Sequence, residues 1–552
     1  MGLFRRRDDS QPRQPFSWVL PKQTSSLAPE DIYTNADLDP TTDPAQRTWG
    51  YGTWFSFWVA ASLDPAFWQT GASLIPLGLS CANAIGIVIL GNVIISVPIV
   101  LNGMIGANLR IPFPVAARAS MGYWFSLFAV LSRAFLSLIW FGVETYNGGS
   151  AMTQFLRAIW PSYWNLENKL PASAGITTRD MTSYFLFWLL QLPFFFLNPN
   201  QLRWAFMLKT VVVPVTMLAT MGSLVHAAGG AGPLFQQPNL VTGQAFSAAW
   251  LLGLASLCGN WATLAVNSPD FTRYTTTNRA QWSQALAIPL SAFFVTICGI
   301  LAASASIPVY GLTNATAYWS PFAIMGEWNN RAAVAFAALA WMLAGIAANI
   351  TANSISSAND FVTLAPKYIN ITRGQLITAV LGGWAVAPWK ILSSSGTFLT
   401  FVSGYAIFLG PFSALLTSDY FLVKRKAYHV PELYDPESIY KYTGGVNWRA
   451  ALTLAVTVAP NLPGLINAIN PNVEIGNIRW WYAPGFITGY VPALVVYYLL
   501  NLAFPHHATL LAEAVTADDV DLSVPPTIDN FGTKSDEASK DAYEMGSVSV
   551  HA

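Results

Sequence analysis

Three observations predict an all-α integral membrane protein. Only 10% of the 552 residues are charged and 53% are hydrophobic, whereas a soluble globular chain carries about 25% charged residues. Charge gathers at the two ends and in short connections. The apolar runs between them are each roughly 20 residues, enough to cross a hydrocarbon core of about 30 Å. The runs also lack the period-two alternation, in segments of about 10 residues, that a membrane β-barrel requires.

Twelve membrane helices are expected, over 51–77, 80–105, 122–150, 180–197, 204–226, 245–267, 283–306, 332–357, 374–388, 396–421, 450–470 and 481–504. The ninth is the shortest of the twelve. The first contains Asp64-Pro65. Proline removes a backbone hydrogen bond and a carboxylate is costly in lipid, so this helix should break there. The third carries Arg133, Ser137, Trp140 and Glu144 at helical spacing, so it should face a polar cavity. The sixth contains Gly259-Asn260, then Trp261 and Asn267, and ends at Pro269, which marks a second interruption. Interruptions in segments one and six, five apart, point to an inverted repeat with a binding site near the membrane midplane. This repeat is inferred from position, with no matching identity between the halves. The eighth carries Asn349, Asn353, Ser356 and Ser357 on one face.

Lys and Arg in the loops set the orientation. With the N-terminus inside, twelve such residues fall in inside loops (among them Arg110, Arg118, Arg203, Arg273, Arg279 and Lys424) and six outside (Arg157, Lys169, Arg179, Arg331, Lys390 and Arg479). Both termini are therefore expected in the cytoplasm, in agreement with Arg5, Arg6 and Arg7. Residues 1–50 lack an apolar h-region, so no cleavable signal peptide is expected. The domains read as a disordered cytoplasmic arm (1–48), a transporter-like membrane domain (49–504) and a disordered acidic tail (505–552) with Glu513, Asp518, Asp519 and Asp521. Lys534 and Lys540 leave two readings of that tail. It is a solvated end, or a trafficking segment for the ubiquitin and endocytic machinery.

A net charge of zero gives no sign of a nucleic-acid partner. Cys81, Cys258 and Cys298 fall in apolar segments and read as small buried hydrophobes; no metal spacing is present. No Walker loop and no nucleophile–base pair is visible, so neither an ATP-driven pump nor an enzyme is expected.

The residues that could carry chemistry are Trp140 and Glu144, one turn apart; Asn260 and Trp261; and Asn353. A carboxylate inside a membrane segment is by default a functional candidate. Two indoles could sandwich a flat ligand. Asn offers a donor and an acceptor, and an ionised Glu only accepts. A cyclic amide such as uracil matches that set. Asp64 and Glu144 are the two acids placed well inside the membrane and are the candidates for proton coupling. Asp270, Asp360 and Asp419 are expected at solvated helix ends. Asn349 is a secondary candidate, its amide serving either ligand or interhelical glue. Lys390, near the outer end of the tenth helix, reads as an interfacial anchor or a gating residue. Arg133 is too far along the helix from Glu144 for a direct ion pair, at about 16 Å.

These residues stand in recognisable stretches. GNWATLAVNSPDFTRY at Gly259–Tyr274 resembles the helix 6 signature of the nucleobase-cation-symport-1 family, and ANITANSISSANDF at Ala348–Phe361 resembles its helix 8 motif. PWKILSSSGTFLTFVSGYAIFLGP at Pro388–Pro411 is similar to the fungal uracil/allantoin permease branch, as are NADLDP at Asn35–Pro40 and RTW at Arg47–Trp49. The resemblance covers roughly residues 30–500. It implies a leucine-transporter-like fold, with a 5+5 inverted repeat followed by two peripheral helices. It also implies substrate contacts at Trp140, Glu144, Trp261 and Asn353.

Two departures from relatives matter. Ala347 and Ala348 stand where sodium-coupled members carry Ser and Thr; alanine side chains cannot ligate a hard cation, so a proton is the expected coupling ion. Glu144 stands where several relatives have Gln, which would favour a donor-rich or cationic ligand. The function expected is import of a uracil-like or allantoin-like heterocycle across the plasma membrane by proton symport. A thiamine, nucleoside or nicotinamide riboside permease is the alternative within transport, and a non-transporting substrate sensor the alternative outside it.

Overall fold

Capping residues and prolines set the ends of the first helices. Helix α1 (Tyr51–Ser62) stops where Asp64 leaves helical geometry, at φ −143° and ψ 142°. The Asp64 carboxylate caps the next helix, α2 (Pro65–Ala72), by accepting from Ala66 N at 2.7 Å. Pro65 occupies the first helical position, where its missing N–H costs nothing. The break expected at Asp64-Pro65 is therefore present. The computed structural model describes residues 18–19, 25–28, 34, 36–196 and 199–519, without the side chains of 199–204 and 206. Arg5, Arg6, Arg7, Asp521, Lys534 and Lys540 lie outside the described residues, as does the side chain of Arg203.

The fold is all-α and multi-pass. Nine helical runs among the described residues are long and apolar enough to cross a membrane: Cys81–Leu109, Ser126–Ile159, Met207–Ala227, Gly243–Thr272, Ala280–Tyr310, Arg331–Leu364, Ser395–Val423, Trp448–Ile469 and Gly485–Ala503. The other three expected segments are helical but shorter or interrupted. They are the α1–α2 pair, Thr178–Gln191 with a tight turn to Phe196, and Ile371–Trp384.

Further labels follow chain order. Helix α3 spans Cys81–Leu109, α4 Phe113–Met121, α5 Ser126–Ile159, α6 Thr178–Gln191, α7 Pro199–Ala227 and α8 Gly243–Thr272. Helix α9 (Arg331–Ala348) continues through a π-helical stretch, Asn349–Ile355, into α10 (Ser356–Leu364). Helices α11 (Ser395–Gly404) and α12 (Ala406–Thr417) follow, and α13 (Gly485–Ala503) closes the membrane domain.

The interruption of α8 lies lower than expected. The helix runs unbroken through Gly259-Asn260 and leaves helical geometry at Asn267 (φ −97°, ψ 16°). Pro269 is the cause: it has no N–H for the carbonyl of Ala265. That carbonyl is instead satisfied from two other helices, by Asn102 Nδ2 at 2.7 Å and Ser413 Oγ at 3.1 Å. Gly259 serves close approach instead of a break. A Cβ there would meet Val402 O of α11 at 2.2 Å.

The described part of the C-terminal segment makes backbone contacts with the loop that follows the π-helical stretch after Thr417. Residues up to Asp519 fold back: Val515 N donates to Tyr428 O at 2.9 Å, and Val430 N donates to Val515 O at 2.8 Å. Arg47 of the N-terminal arm pairs with Asp518 at 3.3 Å. The arm in turn binds the loop after α8, through Trp49 N to Tyr274 O at 3.0 Å. Backbone pairing of this kind does not depend on apolar side chains, so low hydrophobicity did not reveal it.

Candidate functional site

A cavity lies where the α1–α2 break, α5, α8 and the π-helical stretch after α9 converge. It encloses about 820 Å³, open space at its mouth included. Asp64, Trp140, Glu144, Asn260, Trp261 and Asn353 all line it. Six residues singled out on four separate segments are thus brought to one place. The π turn contributes to this, because its wider winding re-aims Thr351, Ala352 and Asn353 towards the cavity.

The two indoles are held in different ways. Trp140 is half-buried; its Nε1 donates to Tyr405 Oη at 3.2 Å, and Tyr405 Oη donates to Gly259 O at 2.7 Å. This relay joins α5 to α8 through the connection between α11 and α12. Phe401 flanks the same ring at 5.8 Å. Trp261 is buried, donates to Asn92 Oδ1 at 3.1 Å, and rests on Phe67 (4.3 Å) and Trp58 (5.0 Å, edge-on). Each indole N–H is already used by protein, so each ring offers the cavity an apolar surface whose orientation is fixed.

The polar groups leave acceptors over. Asn260 Nδ2 donates to Thr70 Oγ1 at 2.8 Å, while its Oδ1 has no donor among the described residues. Glu144 Oε1 accepts from Asn147 Nδ2 at 3.4 Å, and its Oε2 has no such donor. The Asp64 and Glu144 carboxyls line the same cavity and interact with one another. Asn353 Nδ2 donates to Asn349 Oδ1 at 2.9 Å. Buried acceptors without donors are costly, so this surface suits a ligand that presents N–H groups.

Lys209 escaped the sequence reading. It sits in α7, is buried, and interacts electrostatically with both Asp64 and Glu144. A lone lysine inside an apolar segment is itself the signal that marks a functional candidate. Hydropathy alone absorbed it into the run 204–226.

Two further candidates do not reach the cavity. Asn349 is fully buried and its Nδ2 lies on Phe141 O, Thr145 Oγ1 and Gln191 Oε1 at 3.0 to 3.3 Å. It ties helices together and positions Asn353. Lys390 is exposed, beside Gly175.

Below the cavity, Asp270 and Asp360 correct the expectation of solvated helix ends. Both are buried. Arg133 makes short contacts to Asp360 and Ser356 Oγ and lies 3.8 Å from Asp270. Asp270 also accepts from Phe113 N at 2.7 Å. Asn267, 2.9 Å from Ser356 Oγ, links this cluster to the cavity floor. Asp419 is likewise buried, paired with Lys424 at 2.8 Å. The arginine and lysine on neighbouring elements are what allow these acids to leave water.

Residues 40–486 match the family described as "Permease for cytosine/purines, uracil, thiamine, allantoin". An uncharacterised permease of Schizosaccharomyces pombe is 35% identical over 91% of this chain and 89% of its own length. The uridine permease of Saccharomyces cerevisiae is 29% identical over 98% of this chain and 85% of its own. Among solved structures, the inward-facing conformation of Mhp1 superposes with a TM-score of 0.71, at 22% identity, covering 90% of this chain and 99% of that one; the likeness is one of fold. This chain belongs to the nucleobase-cation-symport-1 family of secondary active transporters.

Proposed function

We propose that the protein imports a nucleobase-like heterocycle of the uracil or allantoin type across the plasma membrane, coupled to protons. The observation that carries this reading is the single cavity holding Trp140, Trp261, Glu144, Asn260 and Asn353 beside the Asp64–Glu144–Lys209 cluster. In this reading the planar ligand lies between the two indoles. Its ring N–H groups meet Glu144 and Asn260, and its carbonyl meets the Asn353 amide. The uridine permease among its relatives handles a ligand built on the uracil ring, which supports the same choice.

The coupling follows from the acid pair. With the cavity empty, one proton bridges Asp64 and Glu144. A ligand N–H that takes over Glu144 changes where that proton sits, so ligand and proton occupancy become linked. Ala347 and Ala348 offer no side-chain oxygen to a sodium ion, and this supports a proton in its place. The three shorter helical segments complete twelve spans, arranged as a 5+5 inverted repeat plus two, with both termini in the cytoplasm. Alternating access is then movement of the bundle against its scaffold.

A second reading within transport has one observation in its favour. The free oxygen of Glu144 suits a cationic or donor-rich ligand, so a thiamine or nicotinamide riboside permease is the alternative.

The test is radiolabelled uracil uptake at acidic pH in cells lacking their own permeases, with unlabelled allantoin, uridine, thiamine or nicotinamide riboside as competitors. Saturable uptake blocked by uracil or allantoin and abolished by a protonophore supports the proposal. No uracil uptake by surface-expressed protein, with saturable uptake of labelled thiamine or nicotinamide riboside, favours the alternative. Sodium-dependent uptake that ignores a protonophore sinks the coupling assignment.

A further inference from the structure

Three consecutive basic residues follow α12 and its π-helical extension (Ser418–Val423), and the backbone sends them in different directions. Lys424 turns inward. Its Nζ binds both oxygens of Asp419 at 2.8 Å, Ala119 O at 2.6 Å and Tyr442 Oη at 3.0 Å. Arg425 and Lys426 turn outward and are exposed. Both adopt left-handed backbone conformations, φ 48° and 72°, which L residues rarely take. The neighbouring backbone holds that shape through Lys426 N to Tyr420 O at 2.6 Å and Ala427 N to Lys424 O at 2.8 Å. Strain of this sort persists where the surroundings over-determine it and gathers at binding sites.

Arg425 stands at the rim of a groove between the end of the π-helical extension, the C-terminal end of α13 and residues 505–512. The groove encloses about 1140 Å³, open space included, and Leu422, Tyr498, Leu502, Leu510 and Leu511 wall it. Leu422, Leu502 and Leu510 are 40%, 66% and 41% exposed, so an apolar surface is left open beside uncompensated positive charge. Among the described residues no carboxylate pairs with Arg425 or Lys426.

We infer that this groove is a binding site for one anionic phospholipid of the cytoplasmic leaflet. An acyl chain lies along Leu422 and Leu502, and the headgroup phosphate takes the Arg425 guanidinium, with Lys426 adding charge. Apolar walls with a cationic rim match the acyl chain and phosphate of such a lipid. Occupancy braces the end of α12, and through the Lys424–Asp419 pair it reaches α4, whose Ala119 carbonyl Lys424 holds. The leaflet assignment rests on the proposed orientation; the binding chemistry does not.

The full-length protein, purified and delipidated, is exchanged into nanodiscs of phosphatidylcholine containing 20% phosphatidylserine, on the order of the anionic content of such a leaflet. Lipid retained after extraction into detergent is read by native mass spectrometry, a readout independent of orientation and of transport. The wild type is expected to retain phosphatidylserine over phosphatidylcholine by about fivefold or more, the worth of one basic residue near a charged membrane surface. Arg425→Gln/Lys426→Gln should bring the ratio close to the bulk composition. Leu422→Trp, which crowds the proposed acyl path along Leu422 and keeps both charges, should do the same. Arg479→Gln, remote from the groove, should leave the preference intact. Wild-type retention at the bulk ratio overturns the proposal. So does a preference that survives the double variant, or one that survives Leu422→Trp, since the charges would then act as a surface patch without the groove.

Discussion

Trp140 donates its indole N–H to the hydroxyl of Tyr405 at 3.2 Å, and that hydroxyl passes a bond on to Gly259 O at 2.7 Å. One phenol therefore sets the angle of a ring that faces the cavity. Tyr405→Phe removes both bonds and keeps the packing against Phe401. A typical buried hydrogen bond contributes about 1 kcal/mol, so the half-saturation concentration for substrate should rise by about fivefold. Surface expression should stay near wild type. Uptake kinetics on an expression-matched variant checks this, and unchanged kinetics would free Trp140 from that control.

Glu144→Ala should abolish uptake while the protein still reaches the surface, because it removes both the acceptor and one member of the acid pair. Glu144→Gln separates the two roles. It restores an amide that can meet a heterocycle but cannot share a proton with Asp64. Uptake that persists in this variant with a flattened dependence on external pH is the expected outcome.

Lys209→Met supplies an apolar side chain of similar length and deletes the cation that interacts electrostatically with Asp64 and Glu144. Concentrative uptake should fall at least tenfold, on the order of the coupling energies that charged partners in dry sites carry. Exchange of labelled for unlabelled substrate should suffer far less, since exchange needs no net proton movement. Equal loss of both activities would make Lys209 structural only.

Asp360→Asn breaks the buried pair with Arg133 and leaves a charge without its strongest partner. Removing one member of a buried ion pair costs about 3–5 kcal/mol. The variant should lose thermal stability in detergent, read as an earlier unfolding transition. Gly259→Ala should cost about 1–3 kcal/mol by overpacking, because its Cβ would meet Val402 O at 2.2 Å. Its effect should include a displaced Trp140, and therefore weaker substrate affinity, as well as lower stability.

Much of the cavity was legible before the fold. Trp140 and Glu144 share a face by their spacing, Asp64 precedes a proline, and the stretches around Trp261 and Asn353 carry family motifs. Each of these signals is local. The misplacements were not local. Gly259-Asn260 reads as a helix breaker, yet the glycine is required by the carbonyl of Val402 from another segment, and the true kink at Asn267 follows from Pro269. Asp270 and Asp360 read as solvated because the arginine that pairs with them lies in a different helix.

The sequence by itself determined the class of the protein, the break at Asp64 and the shared face of Trp140 and Glu144, because hydropathy, proline and helical period act over a few residues. Only the tertiary structure decided that Lys209 interacts with Asp64 and Glu144, that Arg133 holds Asp360, and that Val515 pairs with the backbone of Tyr428 and Val430. Those facts depend on which helix faces meet across the bundle. A buried charge is tolerated only where such a meeting supplies its partner.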